Sequence, residues 1–327
     1  MDINQIAQMA GVSRATVSRY LNDGYVSQEK RAAIRRVIER TGYVPSRQAK
    51  TLRTGKTNVV GVIIPKINSA SVSRMVAGIT PVLNEAGYQV LLANTDNDAA
   101  REVDFLRLFA EKSQVDGVIL IATVLTPEHE EAISALPVPI VVLDQDVSLC
   151  PCVHQNDRDA MRDVAALALR AARRPAYIGV FEDDVAVGQM RRAGFFDACA
   201  AAGVEVSERA VRIADFTLDS GYEQTEALLE AYPELDAVVC ATDSIAHGAL
   251  TCLREYGRRV PEEVSVTGID DSDISQITMP TLTTVHLHFK SSGAEAARML
   301  VGLMSGDDAV AREVKMGYEV VARNSTR

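Results

Sequence analysis

The sequence predicts an α/β core of two doubly wound parallel-sheet lobes behind a small all-α N-terminal headpiece. From residue 59 onward, seven apolar runs of strand length alternate with segments of helical periodicity. Unbroken apolar strands between helices are typical of parallel sheets that helices cover on both faces. Two of the runs, VDGVILIAT (115–123) and LDAVVCATD (235–243), are alike, and this internal similarity indicates two similar lobes.

The first 45 residues contain three short helical patterns instead. Apolar residues recur at helical spacing over 3–10, and Gly11 ends that pattern. Ser13 is placed to cap a second helix, in which Val17 faces inward. A third helix is expected over 28–41. Two helices joined by a tight turn are typical of a helix-turn-helix unit.

The charge of the chain is divided unevenly between these two parts. Residues 1–56 hold 11 Lys and Arg against four Asp and Glu, a balance of +7, while the remaining residues hold 23 against 40, a balance of −17. A basic head on an acidic body is expected where only the head meets a polyanion, although a basic surface without a partner would have the same balance. No signal peptide or membrane-length apolar run is present, so we expect a cytoplasmic protein with reduced thiols and no membrane partner.

The second helix has a polar face that suits DNA. On a helical wheel this face comprises Arg14, Ala15, Ser18, Arg19 and Asn22. Arg14 can bind guanine O6 and N7 with two hydrogen bonds, and Ala15 can contact a thymine methyl group. The hydroxyl groups of Thr16 and Ser18 suit phosphate oxygens, which position a protein without specifying sequence. An ordinary solvated helix face is the alternative interpretation.

A polar linker, VPSRQAKTLRTGKTN (44–58), follows the third helix. Pro45 precedes a short helical pattern that Gly55 stops. About three turns are too few for an isolated helix to be stable in water. Leu52 lies between polar residues with no core nearby, which favours a role as an apolar wedge at DNA over a place in a core.

These residues and the motifs that follow them resemble the lac repressor/galactose repressor family of bacterial transcription regulators. The resemblance runs nearly end to end through IAQMAGVSRATVSRYLN, GVIIP, RRAGF, ATDSIAHGAL, VPEEVSVTGIDDSD and PTLTTV. It implies a headpiece over 1–45, a hinge helix over 46–57 and a core over 58–327 that is similar to periplasmic sugar-binding proteins. The implied lobes comprise about 58–156 with 286–317, and about 157–285 with 318–327.

The resemblance also implies a mechanism and DNA contacts. A dimer binds a near-palindromic double-stranded DNA operator, and a small-molecule effector in the core orders or melts the hinge helices. Arg14 and Ala15 match the family's base-reading pair, and Arg19 matches a further base-contacting arginine. Leu52 matches the hinge leucine that enters the minor groove. Arg47 and Lys50, which lie near Leu52 in the hinge, are implied to contact phosphates.

Polar residues at strand ends and helix starts are expected to face an interlobe cleft. The candidate effector-binding residues are Ser73, Arg74, Asp144, Arg191, Thr242, Asp270 and Phe289. Carboxylates beside an arginine suit the neighbouring hydroxyls of a sugar. Asp144 and Asp270 could instead cap the next element, and Asp243 is more typical of a helix N-cap. Arg74 could be a surface charge. If it lies inside the cleft instead, its positive charge favours a sugar phosphate as the effector.

These patterns favour a sugar-responsive repressor over three alternatives. A regulator of nucleobase or nucleoside genes would need a pocket richer in aromatic residues. A secreted solute-binding protein would need a signal peptide and no headpiece. An enzyme is disfavoured because phosphate-loop, dinucleotide and nucleophile-elbow motifs are missing. A phosphocarrier corepressor, used in part of the family, stays an open alternative, and a chain without a leucine heptad tail is expected to stop at the dimer.

No cofactor or metal set is predicted. The stretch CPCVH offers Cys150, Cys152 and His154, which fall short of the usual four ligands, so we interpret it as a loop leading into a strand. His286 and His288, in HLHF, are interpreted as residues of one strand face.

Overall fold

The computed structural model describes residues 1–22, 24–43, 56–112, 114–307 and 312–327. The chain divides into two compact units, Met1–Thr57 and Asn58–Arg327. Each unit is built around its own buried apolar cluster.

The first unit contains α1 (Ile3–Met9), α2 (Arg14–Tyr20) and α3 (Gln28–Thr41). The expected cap of α2 is confirmed, because the Ser13 side chain accepts a hydrogen bond from the Thr16 N–H. Gly42 ends α3 with a φ of 62°, a left-handed conformation that glycine adopts without strain. The three helices enclose a small core of Ile6, Ala7, Val17, Val26, Ile34 and Val37.

The second unit alternates strands and helices. Its strands are β1 (Val59–Ile64), β2 (Gln89–Asn94), β3 (Gly117–Ile121), β4 (Ile140–Leu143), β5 (Cys152–Gln155), β6 (Pro175–Gly179), β7 (Val211–Ile213), β8 (Ala237–Cys240), β9 (Ser265–Thr267), β10 (Thr284–Leu287), β11 (Glu313–Met316) and β12 (Tyr318–Val321). Its α-helices are α4 (Ala70–Glu85), α5 (Ala99–Lys112), α6 (Pro127–Ser134), α7 (Asp157–Leu169), α8 (Arg191–Ala202), α9 (Leu218–Ala231), α10 (Asp243–Glu255) and α11 (Phe289–Met304).

The strands form two parallel sheets, which define two lobes. The first lobe has the six-stranded order β11-β5-β4-β3-β1-β2, and the second has the four-stranded order β7-β6-β8-β9. The antiparallel pair β10-β12 forms a separate small sheet. All seven predicted apolar runs are strands, and their fully buried patterns in β3, β4, β6 and β8 confirm the parallel core.

One edge of the first sheet departs from the sequence expectation. The apolar run of β2 was expected to be covered on both faces, but Leu91 and Leu92 are 40% and 38% exposed because β2 lies at the sheet edge. CPCVH leads into β5, as interpreted from the sequence. The interpretation of His288 as a strand residue was wrong, because β10 ends at Leu287 and His288 is the N-cap position of α11.

Helices of the core pack closely where glycines remove side chains. A Cβ atom on Gly293 of α11 would lie 2.1 Å from the Met75 carbonyl oxygen of α4. A Cβ atom on Gly194 of α8 would lie 2.1 Å from the Arg158 carbonyl oxygen of α7. Among the described residues, no helix has both the length and the apolarity that a membrane crossing requires.

Candidate functional site: headpiece face and interlobe cleft

The outer face of α2 carries the side chains that the sequence analysis assigns to base contacts. Arg14, Ala15 and Arg19 are exposed, whereas Val17 on the opposite face is fully buried. The buried face fixes the rotation of α2 in its unit, so these three side chains share the outward direction. An exposed arginine in the first turn of such a helix can reach the edge of a base in the major groove.

The polar residues beside this face are partly held by the helix itself. Thr16 Oγ1 lies 2.9 Å from Ser13 Oγ. The Asn22 side chain donates a hydrogen bond to the Ser18 carbonyl oxygen at the end of α2. Ser18 is half-buried. The predicted hinge residues Arg47, Lys50 and Leu52 lie outside the described residues.

The second unit has a cavity of about 280 Å³ between its lobes. Five predicted effector residues line it, namely Asp144, Arg191, Thr242, Asp270 and Phe289. Asp144 and Asp270 follow the ends of β4 and β9, which is where ligands bind in open α/β sheets. The volume lies near the lower end of the roughly 300–1,000 Å³ of small-molecule sites.

Arg191 is the buried cation of the cleft. It begins α8 directly after a π-helical turn at Val185–Met190, a rare geometry that often marks functional sites. Its Nε donates to Asp157 Oδ1 (2.7 Å), its Nη1 donates to the Ala241 carbonyl oxygen (2.7 Å), and Nη1 lies 3.6 Å from Asp270 Oδ1. These partners compensate its burial and hold the guanidinium plane in place.

Three carboxyl groups of the cleft have raised pKa values. Burial, followed by repulsion from Asp157, raises the pKa of Asp144 to about 8. Burial also raises the pKa of Asp270 to about 7, although Arg191 acts in the opposite direction. Asp184 has a raised pKa as well, with burial as the main cause. A carboxyl group with a raised pKa keeps its proton to a higher pH and can then donate as well as accept hydrogen bonds, which suits the hydroxyl groups of a ligand.

Asp184 and Gln145 belong to the site and were missed in the sequence. Gln145 Nε2 donates to the Thr123 carbonyl oxygen (2.9 Å) and to Asp184 Oδ1 (2.9 Å), so it connects the two lobes. Asp184 also accepts from the Val187 N–H (3.0 Å). Asp184 follows the predicted strand PAYIGV, so the strand-end argument applied there would have found it.

The comparisons with known proteins agree with this architecture. The family model for bacterial regulatory proteins of the lacI family matches residues 2–46, and the model for a periplasmic binding protein-like domain matches residues 164–326. The sucrose operon repressor of Staphylococcus xylosus is 32% identical over 296 residues, which cover 90% of this chain and 91% of the relative. The chain belongs to the lacI family of bacterial regulatory proteins. It is therefore a DNA-binding transcription regulator and not an enzyme.

Solved structures of lacI-family regulators extend the similarity to nearly the whole chain. The complex of the transcriptional regulator CelR with cellobiose has a TM-score of 0.76 and 31% identity, and the alignment covers 99% of both chains. The lac repressor dimer bound to operator and the anti-inducer ONPF has a TM-score of 0.89 and 25% identity, covering 100% of this chain and 99% of that chain.

Two predicted effector residues of this lacI-family core do not line the cavity. Ser73 is exposed, and its hydroxyl donates to the Ala70 carbonyl oxygen (3.0 Å). Arg74 donates to the Asp270 carbonyl oxygen (2.8 Å), and its guanidinium lies 5.0 Å from the centre of the Phe289 ring. Arg74 is thus neither a surface charge nor a cleft cation, because its contacts join the first lobe to the loop after β9.

The N-cap of α10 is Thr242 and not Asp243, which the sequence analysis favoured as the cap. Thr242 is the N-cap of α10, and its Oγ1 accepts a hydrogen bond from the Ile245 N–H. Asp243 is the first helical residue, and the interpretation of it as the cap was wrong. Its carboxylate accepts from the Ser275 and Thr284 hydroxyls and from the Ser272 N–H. Both residues also line the cavity.

Proposed function

We propose that this lacI-family regulator represses carbohydrate-utilisation genes and is controlled by a small sugar in the interlobe cleft. The observation that carries the proposal is that the carboxyl groups of Asp144, Asp184 and Asp270 line one cavity together with Arg191. Such acceptors can each receive hydrogen bonds from neighbouring hydroxyls of a polyol. The names of the relatives, a sucrose operon repressor and a cellobiose complex, support the same class of effector.

The charge of the cavity favours a neutral sugar over a sugar phosphate. The described lining includes four carboxylates, from Asp144, Asp184, Asp243 and Asp270, against the two cations of Lys66 and Arg191. Arg191 already pairs with carboxylates, and Arg74 lies outside the lining. A phosphate dianion would therefore find few cations in the described lining to offset the cost of its desolvation, whereas a neutral sugar needs none.

The alternative, a regulator of nucleobase or nucleoside genes, is disfavoured by the aromatic content of the cavity. Phe216 and Phe289 line it, but Phe289 is only 2% exposed and its ring contacts Arg74. A planar base therefore finds one accessible aromatic face at most among the described lining residues. Several carboxylates would also face its ring nitrogens and carbonyl groups.

Binding of a graded ligand panel tests the effector class. We would titrate neutral mono- and disaccharides, sugar phosphates and nucleobases into the full chain and follow thermal unfolding. A ligand at 100 times its Kd adds roughly 2.7 kcal/mol of stability. We expect stabilisation by a neutral sugar, its loss in Asp144→Ala and its retention in the control Asp104→Ala, an exposed aspartate of α5. Stabilisation by phosphates or nucleobases alone would refute the neutral-sugar proposal.

The proposal includes a homodimer on a near-palindromic operator. Exposed apolar side chains lie at one edge of each sheet: Leu91 and Leu92 on β2, and Ile277 (78% exposed) and Met279 (93% exposed) after β9. Large apolar side chains that are exposed in one chain can become buried at an interface with a second copy. The solved lac repressor relative is a dimer on its operator.

Sedimentation of a surface variant tests the dimer. We expect the wild-type chain to sediment as a dimer and Met279→Asp to sediment as a monomer at micromolar concentration. The matched control is Ile213→Asp, which changes an exposed residue (47%) on the opposite edge strand β7. A dimer that survives Met279→Asp and Leu91→Asp together would place the interface elsewhere.

In the DNA complex, we assign base contacts to Arg14, Ala15 and Arg19, and phosphate contacts to Thr16, Ser18 and Asn22. The exposure of the first three supports this division. The roles of Arg47 and Lys50 at phosphates and of Leu52 as a minor-groove wedge stay predictions from the family resemblance. The division of the chain into headpiece, hinge and core also stays a prediction from the family resemblance.

Selection of operators from a random DNA pool supplies the test. Arg14→Ala should relax the preference at one symmetric pair of bases, at about 1–3 kcal/mol per half-site. The control Arg35→Ala, an exposed arginine on α3, should leave the selected sequence unchanged. A uniform loss on all DNA sequences would reduce Arg14 to a phosphate contact. Leu52→Ala should weaken specific binding and spare the salt-dependent non-specific part.

A further inference from the structure

A second cluster of charged and imidazole groups lies at the edge of the first lobe, outside the cleft. It consists of Asp146, His154 and Glu313, whose carboxylate oxygens and ring nitrogen all lie within 4.8 Å of one another. The three residues come from the turn after β4, from β5 and from β11. Parallel pairing of β11 with β5 sets Glu313 opposite Cys152, two residues before His154 on the same strand.

The orientation of His154 is what a metal ligand requires. The residue is 7% exposed, and its Nδ1 lies 3.2 Å from the Gln155 carbonyl oxygen. A proton on Nδ1 donated to that carbonyl leaves the Nε2 lone pair directed at Glu313 Oε1, 3.2 Å away. A histidine that donates one ring N–H to a backbone carbonyl and presents the other nitrogen is the usual arrangement of metal-binding histidines.

In that tautomer, the groups facing one another are all acceptors. The Nε2 lone pair and the carboxylates of Glu313 and Asp146 repel each other unless a proton or a metal cation lies between them. Both carboxylates are exposed, so an ion can enter from solvent without disturbing the buried imidazole.

We propose that Asp146, His154 and Glu313 form a site for a divalent transition metal, with Zn²⁺ as the best match. Imidazole and carboxylate are zinc ligands, and three protein ligands leave the fourth tetrahedral position for water. Mg²⁺ and Ca²⁺ prefer all-oxygen sets of six or more ligands, which the described cluster does not supply. Cys152 is not needed as a ligand, because its thiol donates to the Val147 carbonyl oxygen (3.5 Å).

Zinc at this site would join three segments that are distant in sequence. It would connect the turn after β4, the buried strand β5 and the edge strand β11. The expected role is structural or regulatory, because the site lies apart from the residues that line the cleft.

Zinc titration of the chelator-treated full chain tests the proposal. We expect one Zn²⁺ per protomer by calorimetry and by elemental analysis after dialysis, and no comparable uptake of Mg²⁺. Glu313→Gln and Asp146→Asn change exposed residues and should fold normally. Each should weaken zinc binding by at least the roughly 10–100-fold that loss of an outer-shell partner costs. His154→Gln should abolish it.

Two controls separate this site from other donors. Glu319→Gln removes the carboxylate of another histidine pair, in which His288 Nε2 lies 3.8 Å from Glu319 Oε1, and should leave zinc affinity unchanged. Cys150→Ser removes the more exposed thiol of CPCVH and should also have no effect. Absence of stoichiometric zinc, equal affinity in Glu313→Gln and Asp146→Asn, or loss only in Cys150→Ser would each overturn the assignment. None of these outcomes depends on the sugar proposed for the cleft.

Discussion

Substitution of Asp144 by asparagine should change how the stability of the core depends on pH. Burial and the neighbouring Asp157 raise the pKa of Asp144 to about 8, against 3.8 for an ordinary aspartate. The folded state therefore keeps a proton that the unfolded chain releases near pH 4. Stability from this proton is fully present below the unfolded pKa and is lost as the pH rises through the folded pKa.

The magnitude follows from the difference between the folded and unfolded pKa values of Asp144. Between about pH 6 and pH 8, a single group with a folded pKa of about 8 lowers the free energy of unfolding by about 2 kcal/mol. Asp270, with a pKa of about 7, titrates in the same window, so the observed slope belongs to the cluster. Asparagine is isosteric and cannot ionise. The described residues provide no hydrogen-bond donor to the Asp144 carboxylate, so Asp144→Asn breaks no protein hydrogen bond.

Urea unfolding of wild type and Asp144→Asn at about pH 6, 7 and 8 measures the difference. The wild-type midpoint should fall with rising pH, and the variant should lose about 2 kcal/mol less over the interval. Asp104→Asn, an exposed aspartate of α5, should follow the wild type. Parallel pH profiles for wild type and Asp144→Asn would refute the reasoning, because Asp144 would then carry no tightly held proton.

Three further substitutions test the packing and the caps. Asp157→Asn removes the partner of buried Arg191 and should cost about 3–5 kcal/mol in urea unfolding, whereas Asp159→Asn in the exposed pair with Arg162 should cost under about 1 kcal/mol. Gly293→Ala should lower Tm, because the new Cβ would lie 2.1 Å from the Met75 carbonyl oxygen and overpacking costs about 1–3 kcal/mol. Gly317→Ala should leave Tm unchanged, because the space around Gly317 is open. Ser13→Ala should speed amide exchange in α2 in line with about 1 kcal/mol, and Ser27→Ala should do less in α3 because the Ser27 side chain makes no cap hydrogen bond. Equal effects within any of these pairs would contradict the corresponding contact.

The fold could be predicted where a strand is buried on both faces, because such a strand has an uninterrupted apolar sequence. PIVVLD and DAVVCAT are uninterrupted apolar runs because β4 and β8 lie inside their sheets. The sequence EVKM of β11 alternates charged and apolar residues, because this strand lies at a sheet edge. It therefore lacks the uninterrupted apolar run by which other strands were predicted. At the opposite edge, β2 is apolar without being covered, so hydrophobicity alone overstated its burial.

The sequence predicted the cavity residues that directly follow the ends of strands, because the ends of parallel strands meet at one edge of a sheet. Asp144 and Asp270 follow strands of different lobes, and the parallel topology brings them to one cavity. Ser73 and Arg74 were placed there by proximity to a helix start. In the structure, the part of the cavity lining that this segment supplies comes from the first turn of α4 and the loop before it. No residue of α4 after Val72 lines the cavity. Contacts such as His154 with Glu313 depend on strand pairing between distant segments, which local patterns do not encode.

The turn from Asp144 to Asp146 connects the functional parts of the core. Asp144 faces the cavity, Gln145 reaches Asp184 in the second lobe, and Asp146 faces the sheet edge. Asp144 has a φ of 79°, a left-handed conformation that a non-glycine residue keeps only when its surroundings enforce it.

By contrast, the hydrogen bonds of Arg191 to Asp157 and to the Ala241 carbonyl stay within the second lobe. They can hold an effector, but they cannot report a change in lobe arrangement. The hydrogen bonds that cross between the lobes, and would change if the lobes moved, include those of Gln145 to Asp184 and of Arg74 to the Asp270 carbonyl. Each ends on a carboxylate residue of the cavity, so the proposed effector, by engaging Asp184 and Asp270, would act directly on both interlobe connections.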